Sequence, residues 1–141
     1  MGTRDVKLDL LLTVPLFADL SRKDIESVGR LADTVDVPAG KVLMREGESG
    51  AEMFVIASGE VAVERNGNHI ANLGPGEAIG EVALLSEGPR TATVTTTEPT
   101  TVFAIGHREF HTLMEDSSAL RDCIFQNFAK RIRNIDTDAA H

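Results

Sequence analysis

The chain has 141 residues, the size of one ordinary domain. Its hydrophobic fraction of 42% and charged fraction of 26% are those of a globular protein and exclude a disordered or fibrous chain. A net charge of -8 disfavours nucleic acid as a partner, because a polymer of phosphates needs a basic surface, and the single cysteine, Cys123, excludes an intrachain disulfide.

The N-terminal residues, about 1–33, are predicted to form helices. Apolar side chains recur at helical spacing from Leu8 onward, and Pro15 interrupts the pattern. Ser21, with Asp24 three residues later, is typical of a helix start and predicts a helix over about 21–33. No apolar run reaches the roughly 18 residues of a membrane span, so we expect a cytoplasmic protein without a membrane span.

The region from about 34 to 106 is predicted to be β structure. Short β-prone runs are separated by glycine, proline and asparagine turn signals at spacings near ten residues. Asn66-Gly67 between two such runs predicts a hairpin, and further strands are predicted at Thr91–Thr97 and Thr100–Ile105. This spacing favours a closed or double-layered antiparallel structure.

The C-terminal region, about 107–135, is predicted to be helical again. Ser117 or Ser118 is suited to cap its second helix, and residues 137–141 are expected to fray. Cys123 is expected to be a small buried hydrophobe in that helix. Apolar side chains expected to pack this helix on the β region recur at Leu120, Ile124, Phe125, Phe128 and Ile132.

One segment, residues 80–94, breaks the strand rhythm and carries the candidate chemistry. A run typical of one helical turn, 81–85, follows Gly80, which permits unusual backbone angles and close approach of a ligand. The N–H groups at a helix start form an anion site, and Arg90 adds a charged fork suited to phosphate. Glu81, an acceptor, is better suited to a sugar hydroxyl. Together these groups indicate a nucleotide.

The segment resembles the phosphate-binding cassette of the cyclic nucleotide-binding domain family. That pattern is roughly Phe-Gly-Glu, an aliphatic residue, Ala-Leu-Leu, a short turn, Pro-Arg, any residue, Ala-Thr/Ser-Val. The chain has Ile79-Gly80-Glu81-Val82-Ala83-Leu84-Leu85, a three-residue turn, and then Pro89-Arg90-Thr91-Ala92-Thr93-Val94. It departs only at Ile79, where the family usually has an aromatic residue, and the resemblance extends upstream through residues 46–48 and 53–61.

The resemblance implies a mainly β fold, an eight-stranded β-roll (a jelly roll, or double-stranded β-helix) with flanking α-helices. The whole chain, 1–141, would be one cyclic nucleotide-binding domain. Its parts would be N-terminal helices at about 1–33, the β-roll at 34–106 with the cassette helix at 81–85, and C-terminal helices at 107–135.

The resemblance also implies site residues for a ligand, cAMP or cGMP. Arg90 would pair with the cyclic phosphate, helped by the backbone N–H groups of Ala83 and Leu84 and by Thr91. The implied ligand-binding residues are Gly80, Glu81, Val82, Ala83, Leu84, Arg90, Thr91 and Ala92 in the cassette, Val63, Ala71 and Leu73 in the roll, and Arg131 and Ile132 in the last helix.

Further roles concern the sugar and the base. Glu81 would bind the ribose 2′-hydroxyl, with Gly80 allowing contact. Thr91 permits cGMP without deciding between the two nucleotides. Arg131 and Ile132 would form a lid over the base, although Arg131 is equally suited to be a solvated cation near the end of its own helix.

The function implied by the resemblance is a regulatory sensor without catalysis, which shifts its C-terminal helix to signal to an unidentified effector protein or a fused effector domain. A homodimer stays open. One alternative is a degenerate β-roll scaffold that binds no nucleotide. Another is a cupin-like metal enzyme, which needs several histidines inside the roll, whereas the strands contain only His69. We therefore expect no metal site and no catalytic cofactor.

Overall fold

Helices flank a central β region at both ends of the chain. The computed structural model describes residues 6–81 and 88–139, with side chains up to residue 130. Before the β region lie α1 (Val6–Leu12), the short 3-10 helix η1 (Pro15–Phe17) and α2 (Arg22–Leu31). After it lie α3 (His107–Asp116) and α4 (Ser118–Ala139). None of the helices in these ranges is long and apolar enough to cross a membrane.

The start of α2 follows from its capping residues. The Ser21 side chain accepts a hydrogen bond from the Asp24 N–H at 3.1 Å, which satisfies one of the free donors of the first turn. The helix predicted over about 21–33 is confirmed, and it ends at Leu31. The last carbonyls of α2 are bound by Lys7, whose Nζ lies 2.9 Å from Ala32 O and 3.2 Å from Gly29 O.

In the described residues, the β region consists of two four-stranded antiparallel sheets and one two-stranded ladder. The first sheet has the order β1-β10-β4-β7, the second β2-β9-β5-β6, and the ladder is β3-β8. The eight strands of the two sheets confirm the predicted β-roll. The strands are β1 (Asp33–Val37), β2 (Val42–Met44), β3 (Ser49–Gly50), β4 (Glu52–Ser58), β5 (Val61–Arg65), β6 (Asn68–Leu73), β7 (Ala78–Ile79), β8 (Gly88–Pro89), β9 (Thr93–Thr96) and β10 (Thr100–Gly106).

The predicted hairpin joins β5 and β6. Arg65 pairs with Asn68 across a two-residue turn. Both turn residues have left-handed backbone angles, with φ of 55° at Asn66 and 79° at Gly67. A turn of this kind matches the twist of the two strands, and asparagine and glycine are the residues that tolerate it. The hairpin prediction is therefore confirmed.

Strand β10 separates two hydrophobic cores, because successive side chains point to opposite faces of a sheet. Phe103 and Ile105 belong to the core formed with the flanking helices. Val102 and Ala104 belong to the core inside the roll. All four side chains are buried. The helices at both ends of the chain thus pack on one outer face of the roll.

Helix α4 is attached to the N-terminal region through a buried amide. Asn127 Nδ2 donates to the carbonyl oxygens of Leu16 at 3.1 Å and Ala18 at 2.7 Å. Asn127 is 7% exposed, so these bonds satisfy a polar group that has little access to water. The contact ties α4 to the segment around η1.

Two predictions about α4 are wrong. Phe125 does not belong to the buried face of α4, since it is 50% exposed. Its neighbour Ile124 is fully buried, and one residue along a helix turns the side chain by about 100° away from that face. The helix also continues to Ala139, beyond the expected fraying point at residue 137.

Candidate ligand-binding site

Arg90 is placed by a short ladder of backbone hydrogen bonds. Strands β3 and β8 pair immediately before it, with Ser49 opposite Pro89. The Arg90 N–H donates to Glu48 O, and the Gly47 N–H donates to Arg90 O, both at 2.8 Å. Because both backbone groups of Arg90 are bound, its side chain leaves the chain from a defined point.

The Arg90 guanidinium lies against the bare backbone of Gly80. A Cβ atom at position 80 would lie 2.7 Å from Arg90 Nη1 and 3.1 Å from Glu52 O. The φ of Gly80 is 76°, an angle that favours glycine. Gly80 therefore meets two requirements, a left-handed backbone and close approach of a charged side chain.

Burial and charge act in opposite directions on Arg90. Partial burial lowers its pKa, and the negative charge of Glu52 raises it. An arginine side chain stays protonated even so. Within the described part of the chain, no hydrogen bond or ion pair reaches the guanidinium. Arg90 thus offers a permanent, partly desolvated positive charge, the property that an anion site requires.

Arg90 lines a cleft of about 290 Å³ together with residues of β2, β3 and the start of β4. Met44 and Phe54 contribute to its wall, and both also belong to the core inside the roll. Arg45, Glu48 and Glu52 contribute the charged part of the rim. A small cleft with apolar residues and a cation suits a compact ligand that carries a negative charge.

Glu81 follows strand β7 and Gly80 directly in the chain. Its side chain is only 7% exposed, which is rare for a glutamate. An ionised carboxylate is an acceptor only, so a ligand group that meets it there must be a donor, such as a hydroxyl. The chain thus places a buried acceptor one residue from the glycine that touches Arg90.

Other predicted residues lie in the roll, away from this cleft. Val63 is buried in the inner core, and Leu73 packs against that core. Ala71 is the register partner of Val63 across the β5–β6 hairpin. None of these three residues is among the described residues that line the Arg90 cleft. Their assignment to the base and sugar stays a prediction.

The remaining cassette and lid residues are described only in part. Thr91 is exposed, and its carbonyl accepts a hydrogen bond from Arg65 Nε at 3.0 Å. Ala92 is buried in the inner core. Outside the described residues lie Val82, Ala83 and Leu84, most of the predicted helix 81–85, and the side chains of Arg131 and Ile132.

The structure adds residues that the sequence did not point to. Gly50, Glu52 and Met44 all lie at the Arg90 cleft, although they are about 40 residues from Arg90 in the chain. The two glycines of the segment 46–50 mark a turn, but only the antiparallel β3–β8 pairing brings it to Arg90.

The comparisons with known proteins agree on one family. A family model described as "Cyclic nucleotide-binding domain" matches residues 34–117. A cyclic nucleotide-gated potassium channel of Rhizobium etli is 34% identical over 122 residues, which are 86% of this chain and 34% of the channel. The chain spans about a third of the length of the first curated relatives that it matches.

Two solved structures share the fold over most of the chain. The N-terminal domain of a transcriptional regulator from Streptomyces coelicolor A3(2) has 29% identity and a TM-score of 0.80, covering 88% of this chain and 90% of that one. The regulatory domain of Toxoplasma gondii PKA, in a co-crystal with cAMP, has 28% identity and a TM-score of 0.73, covering 96% and 55%.

We expect Gly80→Ala to destabilise the protein more than Gly67→Ala. Both glycines have left-handed angles, so each alanine incurs a backbone cost of about 1–2 kcal/mol. The Cβ of an alanine at position 80 would crowd Arg90 Nη1 and a backbone oxygen, whereas a Cβ at position 67 would have no atom within 4 Å. This crowding should lower the free energy of unfolding of Gly80→Ala by a further amount on the order of 1 kcal/mol. Urea unfolding measures both, and equal losses would contradict the close packing at Gly80.

Proposed function

Because this chain belongs to the cyclic nucleotide-binding domain family, we propose that it is a regulatory sensor that binds cAMP or cGMP and passes binding on through α4. The observation that carries the proposal is the Arg90 cleft. A partly buried guanidinium lies beside Gly80, and the buried carboxylate of Glu81 follows it in the chain. A cyclic nucleotide has a single phosphate close to a ribose hydroxyl, which matches this pair of groups.

The phosphate is the part of the ligand that Arg90 binds. A guanidinium forms two parallel hydrogen bonds with phosphate oxygens, and these bonds are strengthened by charge. Partial burial of Arg90 reduces competition from water, and the nearby Glu52 limits the cost of keeping the charge there. The backbone N–H groups of Ala83 and Leu84 complete the phosphate site in this proposal.

The ribose is held by Glu81. Its carboxylate accepts a hydrogen bond from the 2′-hydroxyl, which is a donor that a deoxyribose lacks. A 2′-deoxynucleotide would leave this buried acceptor without a donor and would therefore bind more weakly. Glu81 thus also selects against deoxynucleotides. Gly80, which has no side chain, lets the sugar come close to the backbone.

The base is placed against the aliphatic side chains of β5 and β6, with α4 above it. Val63, Ala71 and Leu73 form the proposed floor, and Arg131 and Ile132 the proposed lid. The Toxoplasma neighbour was co-crystallised with cAMP, which supports cAMP as a ligand here. Thr91 is exposed next to Arg90 and leaves cGMP open as a second ligand.

Signalling is proposed to use the attachment of α4 to the segment around η1. Asn127 and Cys123 both donate to Ala18 O, at 2.7 Å and 3.4 Å. When α4 moves over the bound base, these bonds break and the helix leaves Ala18. A ligand shifts this equilibrium only by its difference in affinity for the two positions of α4.

In this proposal the protein regulates a partner and catalyses no reaction. Its effector is a separate protein or a fused domain, as in the longer relatives, and its proposed location is the cytoplasm. A homodimer stays open as a further partner. The metal-enzyme alternative has no support in the described ranges, where no three potential metal-ligating side chains lie together. The scaffold alternative is decided by the following binding measurement.

Arg90→Ala should weaken binding of cAMP and cGMP by about 100-fold, because it removes the charged partner of the phosphate. Titration calorimetry with each nucleotide measures this loss. The control is Arg30→Ala, which removes the same charge from the exposed side of α2 and should leave affinity unchanged. Absence of binding to the unmodified chain would favour the scaffold alternative, and full affinity in Arg90→Ala would refute the assigned site.

Glu81→Ala should abolish discrimination between cAMP and 2′-deoxy-cAMP. The unmodified protein should bind the deoxy compound about 10- to 100-fold more weakly, since it loses a hydrogen bond to a charged acceptor. In Glu81→Ala the two ligands should bind equally. Competition binding measures both ratios, and an unchanged preference for the 2′-hydroxyl in the variant would show that another residue binds the ribose.

Cys123, the single cysteine, reports on the position of α4. Burial and the negative charge of Asp19 raise the pKa of its thiol, so it reacts slowly while α4 lies on Ala18. Saturating cAMP should increase its rate of alkylation by iodoacetamide several-fold. The rate in urea-unfolded protein, with and without cAMP, is the control. An unchanged or slower rate in the folded protein would contradict the proposed movement.

A further inference from the structure

The Arg90 side chain crosses directly over the α-carbon of Gly50. A Cβ atom built on Gly50 would overlap Nε and Cζ of Arg90 and lie 2.6 Å from its Cδ. The overlap thus involves the aliphatic stem of the Arg90 side chain as well as its guanidinium. A residue larger than glycine at position 50 therefore cannot coexist with the observed path of Arg90.

The backbone of Gly50 does not itself require glycine. Gly50 lies in β3, and it is absent from the residues with positive φ. Any residue can adopt such a strand conformation, so the need for glycine comes from the space that Arg90 occupies. This separates Gly50 from Gly80, whose backbone angle already favours glycine.

Gly50 in β3 and Gly80, directly after β7, both lie against the Arg90 side chain. Gly50 contacts Nε and the stem, and Gly80 contacts Nη1. Burial lowers the pKa of Arg90, and the negative charge of Glu52, two residues after Gly50, partly offsets this. The guanidinium is thereby held in one orientation at the cleft before any ligand arrives, which saves the cost of ordering a long side chain on binding.

We propose that Gly50 is a positioning residue for the anion site, an inference that rests on the proposed binding of a cyclic nucleotide through Arg90. Its missing side chain lets Arg90 cross over the backbone at Gly50 and present its guanidinium at the cleft. A methyl group there displaces the arginine, which is flexible enough to move into solvent while the β-roll stays folded. The effect on the ligand passes entirely through Arg90.

The test compares Gly50→Ala with Gly88→Ala. Gly88 is the register partner of Gly50 in the same ladder, it has no positive φ, and a Cβ there meets no atom within 4 Å. Calorimetry with cAMP should show affinity reduced about tenfold or more in Gly50→Ala. In Gly88→Ala it should stay within about twofold of the unmodified protein.

A double variant shows whether the effect passes through Arg90. In the Arg90→Ala background, Gly50→Ala should change cAMP affinity by less than about twofold, measured by NMR titration if heats are small. The double variant should also have the same free energy of unfolding in urea as Arg90→Ala, because the alanine at position 50 no longer overlaps an arginine side chain. A purely structural role for Gly50 would instead lower both affinity and stability in that background.

The outcomes separate this inference from the function on which it rests. No cAMP binding by the unmodified protein would overturn the proposed function. Binding by the unmodified protein with equal affinity in Gly50→Ala would overturn the role of Gly50 alone. An equal loss in the presence and absence of Arg90 would also overturn it, since Gly50 would then act independently of the guanidinium.

Discussion

The proposed site depends on holding one guanidinium in a partly desolvated cleft, where no carboxylate among the described residues forms an ion pair with it. Arg90 loses part of its hydration, and the charge of Glu52 compensates only partly. The structure keeps the side chain in place by packing it on backbone at Gly50 and Gly80, where no Cβ interferes. The β3–β8 ladder brings Gly50 to Arg90, and Gly80, which follows β7 directly, also lies against the side chain.

The acidity of the chain is compatible with such a site. A net charge of -8 disfavours the broad basic surface that a nucleic acid needs. One phosphate needs one well-placed cation and nearby N–H donors, whose effect is local because exposed charges are screened beyond about 10 Å. The acidic residues at the cleft, Glu48 and Glu52, lie at its rim, and the second of them supports Arg90.

Much of the fold could be predicted from local signals. The Ser21 cap, the Asn66-Gly67 hairpin and the period of the strands each depend on neighbouring residues, and the structure has all three. The proposed role of Arg90 was predicted from its motif. The proposed role of Gly50 was not, because it depends on a contact across about 40 residues of chain. Phe125 was misplaced because helical spacing alone does not define the edge of a buried face.

Side-chain NMR shows whether the phosphate of a cyclic nucleotide binds the Arg90 guanidinium. Titration of labelled protein with cAMP would follow the Nε–Hε resonance of each arginine. At saturation the Arg90 resonance should be strongly shifted and its Hε protected from exchange with water, while the Arg30 resonance on α2 stays unchanged. Saturation by cAMP without a change at Arg90 would mean that the phosphate binds elsewhere.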